Sequence, residues 1–194
     1  MDALNRASIV IRLPQDVQLA IVEAQTQIRR KAGSDLVRWT PQTELVFTLV
    51  ALGEISPAQI AQVCTLLPAV AMRSPMIDLT LDGLGGSPNN LQPRFLWIGV
   101  GGDVPALERL NVEVERAVAP IVYGHEVRAL QAHVPIGRLK QESESNRSAL
   151  GRSVRVAGIG SVGAFRAASM ELVRASATSL GPTLVTVQSF AFGG

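Results

Sequence analysis

Two short segments, far apart in the chain, each set one reactive side chain into an otherwise apolar strand. The first is Leu45-Val46-Phe47-Thr48-Leu49 and the second is His133-Val134-Pro135-Ile136-Gly137. Adjacent strand residues face opposite ways, so each segment buries one face and presents the other. Pro135 narrows the choice further. A proline inside a central strand forfeits a ladder bond, so it marks an edge, a bulge or a cleft-facing position.

The segments between them supply layers to bury these strands. Arg6 to Leu13 is an apolar strand candidate, and Pro14 suits the first turn of a helix. Val17, Ile21, Ala24 and Ile28 fall on one helical face, with Arg29, Arg30 and Lys31 near its C-terminus and Gly33 ending it. The first motif strand runs from about Glu44 to Leu52, and Gly53-Glu54 turns the chain. Ser56-Pro57-Ala58-Gln59 reads as a capping box opening a helix striped with Ile60, Val63, Cys64 and Leu67. Met76 to Asp82 alternates like a half-buried strand, Gly83 to Pro93 reads as a loop, and Phe95 to Val100 as a strand. Asp103 caps a helix carrying Leu107, Leu110, Val114 and Val118. The second motif strand covers His133 to Leu139. Residues 141–152 are polar and read as an exposed linker. Further strands are expected at Val154–Ile159, Ala167–Val173 and Thr183–Phe192, with Gly193-Gly194 as an appended tail. This order predicts an α+β protein, one domain over residues 1–194, with helices outside antiparallel-rich sheets.

Composition excludes several classes. A hydrophobic share of 47% against 18% charged residues supports a substantial core. The net charge of +2 does not by itself imply a polyanion partner. The single cysteine, Cys64, forbids an internal disulfide, and with His125 and His133 it makes no metal-ligand cluster. Met1 to Arg6 do not form a signal peptide, and no apolar run approaches the ~20 residues that cross a bilayer. A cytoplasmic monomer without a cofactor is expected. Gly83 to Gly86 lacks the Lys-Ser/Thr of a phosphate loop.

Ile11-Arg12-Leu13-Pro14, Arg38-Trp39-Thr40-Pro41, Leu52-Gly53-Glu54, Pro93-Arg94-Phe95-Leu96-Trp97, Gly137-Arg138-Leu139-Lys140 and Gly181-Pro182 flank the two motifs in order. With them, the chain resembles the 2H phosphoesterases. That group contains the LigT-like bacterial 2′-5′ RNA ligases and RNA 2′,3′-cyclic phosphodiesterases. The resemblance implies a bilobed fold of two pseudo-symmetric lobes, with one His-x-Thr motif from each facing a central cleft. It also implies a chemistry in which two histidines on opposite sides of a cyclic phosphate exchange protons while threonine hydroxyls hold the phosphate oxygens. In this chain the first motif keeps Thr48 and has Val46 where the histidine stands. The second keeps His133 and has Pro135 where the threonine stands.

Val46 transfers no proton, and Pro135 has neither hydroxyl nor backbone N–H. Each positioned acid or base is worth ~10²–10⁴ in rate, so turnover resting on His133 and Thr48 alone is expected to be small. Other changes relative to the family cluster at expected cleft positions: Ser8, Ala51, Ser87, Leu130, Ala132, Ala175 and Leu184. Val46, Phe47, Ala51, Phe95, Leu130, Pro135 and Leu184 are expected to form apolar walls, with Val10 beside them. Replacement concentrated in a cleft reads as repurposing, by natural change or by pocket engineering. The expected ligand is a bulky hydrophobic small molecule of steroid or sterol size, with His133, Thr48, Ser8 and Ser87 bonding a hydroxyl or carbonyl.

Alternatives stay open on the sequence. Weak phosphodiesterase or ligase activity through His133 and Thr48 is one. An RNA end held by Arg94, Arg138 and Lys140 is another. Val46 and Phe47 also suit plain strand core, His133 a histidine bonded to backbone, Arg94 and Arg138 ordinary surface charge, and Trp39 and Trp97 packing.

Overall fold

The computed structural model describes residues 5–32, 36–122, 129–178 and 181–194. His125 and the expected helix end at Gly33 lie outside them. Strand β1 (Asn5–Arg12) leads through Leu13-Pro14 into helix α1 (Gln15–Ala32). A short strand β2 (Val37–Trp39) precedes the first motif strand, β3 (Val46–Ile55). Helix α2 (Pro57–Arg73) follows, opened by the expected capping box: Ser56 Oγ accepts from Gln59 N–H, and the Gln59 side chain accepts from Ser56 N–H. Then come β4 (Ile77–Ser87), β5 (Phe95–Gly102), α3 (Val104–Val118, capped by Asp103), and the second motif strand β6 (His133–Leu139). Helix α4 (Glu144–Ala157) and strands β7 (Ser161–Ala167), β8 (Ser169–Thr178) and β9 (Gly181–Ala191) complete the described chain.

Two antiparallel sheets result, as the α+β expectation required. One has the order β3-β1-β8-β9 and the other β2-β6-β5-β4-β7. Helices α2 and α3 pack on the first sheet's side, while α1 and α4 cover the second. A single buried cluster runs through both, including Ile9, Ile11, Phe47, Leu81, Leu96, Ile98 and Ile136. Gln25, buried on α1, donates to the carbonyls of Thr40 and Ile136 at 2.9 Å each and so fastens the second motif strand from behind.

Several elements differ from expectation for identifiable reasons. Residues 141–152 are not a linker. Most of them form α4, capped by Ser143 Oγ accepting from Asn146 N–H, and Leu150, Val154 and Ala157 are buried at helical spacing. Their stripe was hidden by the charged residues between them. The strand expected at Val154–Ile159 is therefore the end of this helix, and the true strand starts at Ser161. Residues 83–87 are not loop, because β4 continues through them. Gly53-Glu54 does not turn the chain either. Gly53 takes φ 71° inside β3, beside a register shift against β1 that leaves Leu52 unmatched, a conformation glycine adopts without strain. The single strand expected across Ala167–Val173 is two, β7 and β8, lying in different sheets and parted only by Ala168. Gly193 is no loose tail, since its N–H lies against the carbonyls of Ala71 and Ser74 at the end of α2.

The helical assignment of residues 144–157 has a direct check. Leu150→Ala, at a fully buried position, should lower unfolding free energy by about 2–5 kcal/mol in urea titration. A residue in an exposed linker would change it by less than ~0.5 kcal/mol.

Candidate functional site

Strand parity places the first motif. Phe47 is 0% exposed and belongs to the main core, so Val46 and Thr48 face the other way. Phe47 therefore does not wall a cleft. On the neighbouring strand, Arg12 pairs with Val46, Val10 with Thr48 and Ser8 with Ala51. Beyond β1, Val10 lies opposite Glu171 and Ser8 opposite Val173 on β8. Val10, Val46 and Val173 pack into a small buried cluster with Leu184 against it, and Val46 is 6% exposed. One end of this patch is closed by a polar knot. Arg12 Nε and Nη2 donate to the Glu171 carboxylate at 2.8–3.1 Å. Thr186 Oγ1 donates to Glu171 Oε2 at 2.9 Å and accepts from Arg12 Nη2 at 3.0 Å.

The second motif is placed the same way. Val134 and Ile136 are buried, which turns His133 and Pro135 to the opposite face. Pro135 lies opposite Trp97 beside a register shift that leaves Ile136 of β6 unmatched, and β2 joins β6 only from Gly137 onward. A missing N–H is tolerated at such an edge and bulge. His133 is half-buried and its ring stacks on the Trp97 indole, centroids 5.3 Å apart at 30°. Trp97 Nε1 donates to Ser87 Oγ at 3.1 Å. The backbone N–H of His133 donates to the Gln131 carbonyl at 2.6 Å. Burial holds the imidazole pKa below its ordinary value, so the ring is neutral near pH 7.

The two motif strands pack across from each other and line one groove of about 1190 Å³. Ser8, Thr48, Ala51, Leu130, His133 and Pro135 all line it. Val46, Val10 and Leu184 do not. They lie in the adjoining cluster on the same sheet. Ser87 is engaged by Trp97, and Phe95, 47% exposed, stands opposite Ser87 and Arg138 outside the groove. Ala132 packs against the main core, and Ala175 is exposed on β8 opposite Leu184. Arg94 pairs with Glu142 at 2.9 Å, Arg138 and Lys140 are exposed, and none of these three cations lines the groove.

Sequence reading missed Arg6, Glu54, Glu115 and Gln131 among the lining residues. Arg6 and Glu54 face each other at 3.9 Å. Glu115 had a signal. With Asn111 it interrupts the apolar stripe of α3, and both are buried. Asn111 Nδ2 donates to the Leu49 carbonyl at 2.8 Å, tying α3 to the first motif strand. The walls are therefore mixed in polarity, where the sequence predicted largely apolar ones.

The model of the LigT like Phosphoesterase family matches residues 11–97. An RNA 2′,3′-cyclic phosphodiesterase of Aeropyrum pernix is 31% identical over 140 residues, covering 72% of this chain and 77% of that protein. The chain belongs to the LigT-like phosphoesterase family. A relative of the same name from Aquifex aeolicus is 28% identical over 177 residues, covering 90% of this chain and 93% of its own. Among solved structures, a protein of Thermus thermophilus superposes with TM-score 0.78 at 22% identity, covering 97% of this chain and 98% of its own. Escherichia coli LigT complexed with NADP+ superposes with TM-score 0.75 at 20% identity over the full length of both chains. These two structures establish the LigT-like fold for the whole described molecule. Among the described residues no helix is long and apolar enough to cross a membrane.

The state of His133 carries a pH dependence with a definite sign. Its folded pKa lies below the ordinary 6.5, so protonation favours the unfolded chain. The stability due to the neutral ring is complete above the ordinary value and declines as pH falls below it toward the folded value. Urea unfolding between about pH 7 and 5 should show this acid-side loss, and His133→Gln should remove that part of it.

Proposed function

We propose that this LigT-like phosphoesterase retains the scaffold of an RNA 2′,3′-cyclic phosphodiesterase while its groove binds a small molecule more than it turns one over. One observation carries this. The position that supplies the first motif's imidazole is Val46, sealed among Val10, Val173 and Leu184. His133 is then the one imidazole among the described groove-lining residues. Opening a cyclic phosphate from two sides needs a proton acceptor on one side and a donor on the other. A single neutral imidazole serves one of these roles.

The groove also says something about its occupant. Ala51, Leu52, Ala129, Leu130 and Pro135 give an apolar wall, while Ser8, Thr48, Gln131 and His133 supply hydrogen-bonding groups. Arg6 stands 3.9 Å from Glu54, and both side chains are exposed. An unpaired phosphate is costly to desolvate with so few cationic partners. A steroid-sized molecule with an apolar body and a hydroxyl or carbonyl end fits this lining. Burying ~300 Å² of it at ~25 cal/mol/Å² offers roughly 7–8 kcal/mol before the cost of association.

A second reading has its own support. His133 and Thr48 both reach the groove, and the relatives matched are named RNA 2′,3′-cyclic phosphodiesterases. Residual hydrolysis of a cyclic phosphate through these two groups is the activity it implies.

Assays separate the two. Turnover of a nucleoside 2′,3′-cyclic phosphate should be near background in the unmodified chain. It should rise by about 10²-fold or more when Val46→His and Pro135→Thr are combined. Brisk turnover by the unmodified chain, abolished in His133→Ala, would instead establish the second reading. Steroid-sized ligands at a hundredfold excess over Kd should raise the Tm by roughly 5–10 °C. That shift should be nearly independent of salt. Stabilisation by oligonucleotides that fades steeply with salt would replace the small-molecule reading with an RNA-binding one.

A further inference from the structure

His133 does not sit loose in its groove. Its ring stacks on Trp97, and Trp97 is itself fixed at two points. Its Nε1 donates to Ser87 Oγ at 3.1 Å. Its six-membered ring fills the space that a side chain at residue 85 would need, for a Cβ there would fall 2.1 Å from two of the ring carbons. Gly85 pairs directly with Trp97, and Ser87 follows two residues along the same strand. Strand β4 thus supplies both the bed under the indole and the pin at its edge. On the other side β6 sets His133 opposite Gly99, where the absence of a side chain leaves room beside the stack.

We propose that Gly85, Ser87 and Trp97 form a built seat for His133, with Trp97 a positioning residue that fixes how the imidazole faces the groove. This rests on His133 being the functional group of the groove, but on no particular ligand or turnover. The physical argument is one of removed freedom. A hydrogen bond and a steric bed leave the indole one orientation, and a stacked imidazole then loses rotation about its own ring axis. An indole face also attracts cations, which would favour the protonated ring, while burial pushes the imidazole pKa down. Among the described residues, the charged groups sharing the groove are Arg6, Glu54 and Glu115.

The test is nuclear magnetic resonance of the full chain with labelled histidine. His133 is assigned by the signals that vanish in His133→Gln. Ring currents from Trp97 should displace the His133 ring protons upfield. Trp97→Leu should abolish that displacement. Trp97→Phe, which keeps a stacking ring, should restore most of it. Gly85→Ala evicts the indole from its bed and should reproduce the Trp97→Leu signals. His133 signals unchanged in folded Trp97→Leu overturn the proposal. If Trp97→Leu does not fold, Ser87→Ala decides, since it removes one hydrogen bond. A shift of the His133 signals there supports the seat and an unmoved spectrum overturns it. None of these readouts needs catalysis or a bound molecule, so a failed binding or turnover assay bears on the proposed function alone.

Discussion

The parity of three strands governs this molecule. On β1, β3 and β6, alternate residues enter the shared core: Ile9 and Ile11, Phe47, Val134 and Ile136. Their neighbours have no choice but to face the opposite side. Slipping any of these strands by one residue would expose the core set and bury the groove set. The same burial that stabilises the fold therefore aims Ser8, Thr48, His133 and Pro135 at one another. Register shifts reset that alternation along the strands: past the unmatched Leu49 the buried and open positions on β3 exchange, so that Thr48 and Ala51, three residues apart, both line the groove.

Much of this was legible in the residues. The capping box at Ser56, the cap at Asp103 and the span His133–Leu139 are local signals that tertiary packing had no reason to override. The signals that failed were those whose meaning is set by distant partners. Gly53 looks like a turn until β1 is beside it to absorb the bulge. Gly85 and Gly86 look like loop until Trp97 and Pro93 occupy the space above them. In α4, strong local polarity concealed a narrow apolar stripe, Leu150, Val154 and Ala157, whose worth depends on the sheet it covers.

The candidate site shows the same division. Pairing of Thr48 and His133 in one groove followed from the two motifs. The fate of Val46 did not, because nothing local says that Val10 and Val173 lie on adjacent strands of the same sheet and close over it. Val46 stands in a small patch of secondary core, capped by the ion pair of Arg12 and Glu171. The patch joins β3, β1 and β8 on the face away from the main core.

The passage from β7 to β8 takes a single residue, Ala168, whose carbonyl is held by the N–H of Phe192. A corner that short welds the two sheets. The last residue of β7, in the five-stranded sheet, and the first of β8, in the four-stranded one, are thereby held two positions apart, so neither sheet can be displaced at this point without the other.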